Sequence, residues 1–469
     1  MKIKNICCIG AGYVGGPTMA VIALKCPEIK VTVVDINKEK IKLWNHPNLD
    51  KLPVYEPGLS DVISKTRGKN LFFSTKIDQA IEDSQMIFMA VNTPTKTFGE
   101  GKGMASDLTY IENCARKISE VSKSNKIVVE KSTLPVRTAE KIKEVLSMNN
   151  DKNINFEVIS NPEFLAEGTA INDLFKSDRV LIGGEKTKSG LDAVKSLYNI
   201  YKKWIPEAKI LTTNVWSAEL SKLVSNAMLA QRISSINSIS SLCEKTGADI
   251  EEVSKAVGMD SRIGPSFLNS SIGFGGSCFK KDILNLVYIS KYYGLDEVAE
   301  YWKGVVDINE FQTNRFSKKI VEVLNQTIKG KNITILGWAF KKNTNDSRES
   351  ASILLAKNLL MEGAIVNIYD PMVDNKRIIK DIKSVIVDES LNTDLNSVLS
   401  NIKIHENLTN CFKDSHLIAI CTEWDEFKNI DWEGGYQMMN KPAWLFDGRN
   451  ILDQKKLSSI GFKTFFIGK

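Results

Sequence analysis

The sequence predicts an α/β protein in which two parallel-sheet domains are joined by a long central helix, and three observations carry that expectation. The first two hundred residues alternate short apolar runs with amphipathic segments. From Asn214 onward more than 30 residues are helix-compatible, with no Pro and no internal Gly. The strand rhythm then returns near residue 329.

In chain order, IKNICCIG, KVTVVD, LFFS, QMIFMAV, NKIVVEKS, FEVIS and RVLIGG read as short apolar strands, and the segments between them as helices. That alternation is the signature of a parallel sheet covered by helices. The stretch NVWSAELSKLVSNAMLAQRISSINSISSLCEKTG follows. At ~1.5 Å per residue it would span about 50 Å, long enough to act as a connecting spine. Its apolar residues are mixed with Ser and Asn, too polar for a membrane and too irregular for heptads, so close packing against another domain or subunit is expected. A further helical stretch covers about 297–328. KNITILGWAFK, AIVNIYD, HLIAICT and AWLFDGR then restore the strand pattern. The expected domains are 1–213, 214–328 and 329–469.

The bulk composition limits the function classes. The chain has 469 residues, 43% of them hydrophobic, enough for two or three domains with sizeable cores. Its net charge of +6 is spread over 62 basic and 56 acidic residues with no long basic run, which argues against nucleic acid and fits anionic small molecules better. No secretory signal and no membrane span is expected. The eight cysteines, Cys7, Cys8, Cys26, Cys114, Cys243, Cys278, Cys411 and Cys421, lack metal-type spacing. They point to reduced thiols, a cytoplasmic address and no metal.

The segment IGAGYVGG places Gly10, Gly12 and Gly15 in a G-x-G-x-x-G arrangement between the strand ICCI and a helix-like segment. Such glycines let a pyrophosphate approach backbone amides at the helix start. KVTVVD ends in Asp35, 20 residues beyond Gly15. A carboxylate there accepts bonds from adenosine ribose hydroxyls and repels a 2′-phosphate, so NAD is expected rather than NADP. Lys40 works against that preference. The fold expectation sharpens to two Rossmann-like parallel-sheet domains joined by a long central helix.

Lys222 and Asn226 lie four apart on the spine and share a helix face. NPEFLAEGTA puts Glu163 and Glu167 on the loop after FEVIS, at the carboxyl end of a strand, where open α/β sheets bind ligands. GFGGSCFKKD sets Cys278 among three glycines, with Asp282 just behind. Taken singly, each of these has a plain structural reading as a solvated face or inert packing; together they suggest one site.

In order along the chain, GAGYVGGP, VNTPT, EKSTLPVR, NPEFLAEGTA, ELSKLVSNAMLAQRISSINSIS, GFGGSCFKKD, GWAFKKNTNDSRES and FDGRN resemble the UDP-glucose 6-dehydrogenase family, most closely its animal and plant members. The resemblance covers essentially the whole chain. It implies an N-terminal NAD domain, a central helix at a dimer interface, a C-terminal domain for the UDP group, and assembly as a dimer or hexamer. It also implies oxidation of UDP-glucose to UDP-glucuronate in two steps, giving two NADH. Cys278 is then the nucleophile that forms a thiohemiacetal and a thioester. Lys222 serves the first oxidation as a base or through a bound water, Asn226 and Asp282 position water, and Glu163 is the acid/base residue for thioester hydrolysis. Thr133 joins this catalytic set.

By the same resemblance the cofactor is held by Gly10, Ala11, Gly12, Tyr13, Val14, Gly15, Asp35, Lys40, Val91, Asn92, Thr93, Pro94, Thr95, Ser132, Thr133, Glu167, Cys278, Lys281 and Arg348. The sugar nucleotide is held by Glu163, Phe164, Leu165, Ala166, Glu167, Lys222, Asn226, Arg262, Phe267, Asn269, Phe274, Gly275, Phe340, Lys341 and Arg449. Arg262 matches a residue reaching a neighbouring subunit's substrate, and Asn269 stands where some animal members carry Lys. Sister enzymes acting on GDP-mannose or UDP-N-acetylmannosamine, and a non-catalytic NAD-binding scaffold, are the alternatives.

Overall fold

The computed structural model describes residues 2–148, 154–387 and 395–469. The chain forms two compact units, one containing the residues up to Ser225 together with Leu284–Leu295, the other Asn226–Ile283 with Asp296–Lys469.

Among the described residues the first unit is built on eight strands: β1 Asn5–Ile9, β2 Lys30–Val34, β3 Leu71–Ser74, β4 Met86–Met89, β5 Lys126–Glu130, β6 Phe156–Ser160, β7 Val180–Gly183 and β8 Ile210–Thr213. They lie in the order β3-β2-β1-β4-β5-β6-β7-β8. The central strands are buried on both faces, so they read as unbroken apolar runs rather than as alternating ones. The Cys7-Cys8 pair illustrates this. Successive side chains of a strand point to opposite faces. Cys8 therefore joins Ile6, Val31 and Val33 in one apolar layer, while Cys7 joins Ile87, Met89 and Val128 in the other.

Two features differ from a purely parallel sheet read off the apolar runs. β7 meets β6 antiparallel, at Ser160 and Gly183, and β8 then pairs parallel to β7. β8 itself, ILTT, left no apolar signature because it is an edge strand with Leu211 and Thr212 turned to solvent.

The second unit carries β9 Asn332–Leu336, β10 Ile365–Tyr369, β11 Ile402–Ile404, β12 Leu417–Ile420, β13 Trp444–Asp447 and β14 Lys463–Phe466, all parallel, in the order β11-β10-β9-β12-β13-β14. Both sheets reverse direction of growth beside their first strand, between β1 and β4 and between β9 and β12. Ligands bind beyond the carboxyl ends of strands at such switch points.

The spine is a single 32-residue helix, Val215–Thr246. Its polar residues have specific tasks in the second unit. The Ser234 hydroxyl donates to Val305 O at 2.7 Å, and Asn237 Oδ1 accepts from the Ser271 amide at 2.8 Å. Both side chains are buried, so each bond satisfies a group that would otherwise be costly to desolvate. Ala218, Leu223, Ala227, Ala230 and Ile236 are also buried along the spine, whereas Trp216, Leu220, Met228, Ile239 and Leu242 are exposed.

Candidate active site

At the switch point of the first sheet, β1 runs into the glycine loop and the helix Gly15–Lys25. Gly10 has φ 111°, and a Cβ there would lie 2.3 Å from Ala90 O. A Cβ on Gly15 would lie 2.0 Å from Gly10 O. These two glycines are therefore demanded by the protein's own backbone. Gly12 is different: a Cβ there would meet nothing within 4 Å. Its bareness leaves room beside a helix start that no side chain caps. The space and the positive end of the helix together fit a pyrophosphate.

Asp35 follows β2 and is buried. Its carboxylate accepts from the amides of Ala11 at 3.0 Å and Asn37 at 2.9 Å, and pairs with Lys40 Nζ at 3.1 Å. Burial opposes its charge, but these donors outweigh it and hold the carboxyl below its usual range. Lys40 is thus a partner of Asp35, not an independent cation facing a phosphate. The donor set fits NAD: glycine loop for the pyrophosphate, ionised Asp35 for the ribose.

The strand order β1-β4-β5-β6 puts the loops after these strands side by side. After β4, Thr93 is buried, with its hydroxyl on Thr133 O at 3.1 Å; Thr95 bridges to Ser106. After β5, the Ser132 hydroxyl donates to Val91 O at 2.7 Å. The Val91–Thr95 and Ser132–Thr133 segments are thereby tied into one surface. After β6, Glu163 Oε1 accepts from its own loop, from Phe164 N at 2.8 Å and Leu165 N at 2.9 Å. Its Oε2 pairs with Lys131 Nζ at 2.8 Å. Burial pushes the Glu163 carboxyl up, and Lys131, the Leu165 amide and Lys222 pull it further down, so the net shift is downward. From the spine, Lys222 is buried with Nζ 5.4 Å from the Phe164 ring centre, and Arg179 stacks on the same ring at 3.9 Å. Ala166 is exposed and Leu165 and Glu167 half-buried.

A second carboxyl group lies behind this surface. Glu219, three residues before Lys222, accepts from Arg137 N at 2.8 Å and Ala139 N at 2.9 Å at the start of the helix Thr138–Met148. It also interacts with the fully buried Glu130. Two buried carboxyl groups that interact this closely resist ionising together. Burial, then the neighbouring Glu219, raises Glu130 well above the carboxylate range, and burial pushes Glu219 up to about 7.

In the second unit, Ser277 and Cys278 precede the helix Phe279–Tyr292, and Cys278 is half-buried. The Cys278 carbonyl accepts from the Asp282 amide at 2.8 Å, closing the first turn. Gly276 has φ 89°, and a Cβ there would meet the Phe340 ring at 2.9 Å; a Cβ on Gly275 would lie 2.5 Å from Glu349 O. The bare backbone around the thiol is thus required by close approach of the 340–349 segment, to which Gly276 N also bonds at Arg348 O, 2.8 Å. Asp282 is buried; its Oδ2 accepts from Asn226 Nδ2 at 2.6 Å, and Lys281 Nζ is 3.9 Å from its Oδ1. The spine residue Asn226 and the cysteine helix are therefore joined. Phe274 is buried and packs edge-on against Phe279, while Phe267 and Asn269 are exposed.

The second sheet repeats the plan of the first. Gly337, φ 97°, follows β9 as Gly10 follows β1, and Asp370 follows β10 as Asp35 follows β2. Asp370 Oδ2 accepts from Trp338 N at 2.6 Å and Ala339 N at 2.9 Å. Here no second glycine opens the loop, and Phe340 and Lys341 come next. Arg449, after β13, donates to Cys421 O at 2.7 Å and Phe340 O at 3.0 Å and lies 3.4 Å from Glu423. Arg348 pairs with Asp346 at 2.6 Å, and the exposed Arg262 with Asp260 at 2.7 Å.

Three family models match in sequence: the NAD binding domain of the UDP-glucose/GDP-mannose dehydrogenase family over residues 4–205, its central domain over 216–311 and its UDP binding domain over 334–454. The chain belongs to the UDP-glucose/GDP-mannose dehydrogenase family. It is 57% identical over 465 residues to the UDP-glucose 6-dehydrogenase of Drosophila melanogaster, covering 99% of this chain and 96% of that one. It is 56% identical over 469 residues to UDP-glucose 6-dehydrogenase 3 of Arabidopsis thaliana, covering 99% and 97%. Among solved structures it resembles a UDP-glucose dehydrogenase of Pyrobaculum islandicum, with TM-score 0.81, 28% identity and 98% of each chain covered.

In this dehydrogenase the predicted residues fall into two sets. Gly10 to Gly15, Asp35, Lys40, Val91 to Thr95, Ser132, Thr133, Glu163 to Glu167 and Lys222 belong to the first unit, and Asn226, Arg262 to Asp282, Phe340, Lys341, Arg348 and Arg449 to the second. Sequence reasoning missed Lys131, Asn161, Tyr201, Glu130 and Glu219. The available signal was a charge at the end of an apolar run: the Glu-Lys of IVVEKS closes a strand buried on both faces, and a charge so placed demands a partner.

Proposed function

We propose that this enzyme uses NAD to oxidise the C6 alcohol of UDP-glucose to the carboxylate of UDP-glucuronate, in two steps of two electrons. The observation that carries the sugar assignment is the 57% identity, over nearly the full length of both chains, to a protein named UDP-glucose 6-dehydrogenase. NAD, held by the glycine loop and Asp35, accepts the hydride in each oxidation.

In the first step Lys222, directly or through a water, takes the hydroxyl proton as the hydride departs, leaving an aldehyde. The Cys278 sulfur then adds to the aldehyde carbon, its proton passing to the oxygen, to give a thiohemiacetal. Loss of the second hydride and of the hydroxyl proton leaves a thioester. Water attacks the thioester carbon, the carbon–sulfur bond breaks, and Cys278 departs as thiolate. Glu163 accepts a proton from that water; its lowered pKa keeps the carboxyl ionised and so able to accept. Asn226 and Asp282 orient polar groups near the thiol, and Thr133 supports the cofactor side. Lys341 and Arg449 bind the diphosphate and nearby sugar oxygens, as cations do through charge-assisted bonds. Arg262, exposed on its loop, serves a neighbouring subunit. The division into a cofactor domain, 1–213, a central domain, 214–328, and a nucleotide-sugar domain, 329–469, follows this reading.

Self-association along the spine fits the exposed Trp216, Leu220, Met228, Ile239 and Leu242. A cytoplasmic site of action fits eight cysteines without a disulfide. No helix among the described residues is long and apolar enough to cross a membrane. The test is NADH formation with UDP-glucose, GDP-mannose and UDP-N-acetylmannosamine in parallel: kcat/KM should be highest for UDP-glucose, and preference for either other sugar would overturn the assignment.

A further inference from the structure

We infer that Lys131 is a positioning residue for Glu163: it pins the carboxylate in the orientation and charge state of a base, so that Glu163 can take a proton from water when the thioester is hydrolysed. The inference rests on the dehydrogenase reading above and adds a residue to it.

Lys131 follows β5 directly, and its side chain is 3% exposed, less than the 12% of Glu163 itself. An ammonium has three N–H donors. Nζ has three oxygens in reach: Glu163 Oε2 at 2.8 Å, Asn161 Oδ1 at 3.2 Å and Tyr201 Oη at 3.4 Å. The two neutral partners are themselves fixed. Asn161 Nδ2 donates to Leu181 O at 2.8 Å, which turns Oδ1 toward the lysine, and the Tyr201 hydroxyl donates to that same Oδ1 at 2.8 Å, which turns its own lone pairs toward Nζ. The lysine is thus held by groups from the end of β6 and from the helix Lys188–Tyr201, and it has one charged partner in this set, Glu163.

Around Glu163 every neighbour named is a donor. Oε1 receives two backbone amides and Oε2 receives the ammonium. A protonated carboxyl would have to aim its O–H at one of these donors, so the geometry selects the anion. The charged and titratable groups that surround it are Lys131, Tyr201 and Lys222, with Arg179 stacked on the adjoining Phe164. Lys222 is assigned to the first oxidation, which leaves Lys131 as the cation whose only evident task is Glu163. Without it, a buried carboxylate loses its closest counter-charge and takes up a proton. A protonated Glu163 cannot accept another from water.

The test is Lys131→Met in the full-length enzyme, supplied with UDP-glucose and NAD and followed by stopped-flow NADH absorbance and intact-protein mass. Expected is a burst of two NADH per site at close to the wild-type rate, then turnover about a hundredfold slower as general-base assistance is lost. A covalent adduct should accumulate on the protein, and the slow phase should recover as pH rises. Lys131→Arg should remove most of the adduct. If Lys131→Met does not fold, Lys131→Gln, which keeps one donor toward Glu163, should show the same burst and adduct. Wild-type protein that makes no NADH from UDP-glucose overturns the dehydrogenase reading and this inference with it. With active wild type, a variant that loses burst and turnover alike, or one that hydrolyses normally with an unchanged pH profile, overturns the inference alone.

Discussion

Glu219→Gln should change how the enzyme's stability responds to pH. Glu219 is 3% exposed, coupled to the buried Glu130 and hydrogen-bonded to the Arg137 and Ala139 amides, and burial raises its pKa from 4.5 to about 7. A group whose pKa is raised on folding gives stability that is complete below its unfolded value and drains away as pH rises through its folded value. Here the window runs from about pH 4.5 to about pH 7. At about 1.36 kcal/mol per pH unit, the loss across it is about 3 kcal/mol. Glutamine is neutral throughout and removes that slope. Its NH2 group faces one of the two amides that the carboxylate satisfied, which costs about 1 kcal/mol at the acid end. The two stability curves should therefore cross, with the variant the weaker at pH 5 and the stronger, by about 2 kcal/mol, at pH 8. In thermal unfolding across this range, that difference is a shift of about 4–8 °C for a unit of this size. Parallel curves for variant and wild type would refute the raised pKa of Glu219.

Asp35→Asn should raise the ratio of NADP to NAD kcat/KM by about tenfold or more, because one charge-assisted ribose contact is lost and Lys40 is released from its 3.1 Å ion pair to meet a 2′-phosphate; an unchanged ratio would count against Asp35 at the ribose. Gly15→Ala puts a Cβ 2.0 Å from Gly10 O, so NAD affinity by fluorescence titration should fall at least about tenfold, and stability by about 2 kcal/mol or more. Near-normal NAD binding by that variant would mean the loop has slack that the structure does not display.

Strands buried on both faces announced themselves as apolar runs, and the glycine loop, spine and cysteine loop were legible because each breaks its local pattern. The edges were not. ILTT, IKI and KTFF, which form β8, β11 and β14, each end a sheet and expose part of their length, so they lack the apolar continuity that marked the inner strands. The antiparallel join of β6 and β7 was equally invisible, since strand direction is set by how the chain returns, not by the composition of the strand. At the site, Glu163 was readable from its loop, but its ion pair with Lys131 was not: the two are 32 positions apart and meet because β5 and β6 are neighbours. Glu219 looked like one more polar residue on a helix until the fold set it against Glu130.

The most direct test of the central claim is the count of NADH produced per UDP-glucose consumed, with the product identified by mass, in wild type and in Cys278→Ala. Wild type should give two NADH and UDP-glucuronate, and the alanine variant, which can form no thioester, should lose UDP-glucuronate formation by several powers of ten, about 4 kcal/mol or more of transition-state stabilisation, while still binding NAD. One NADH per sugar from the wild type, or two at near wild-type rate from Cys278→Ala, would contradict four-electron oxidation through a cysteine thioester.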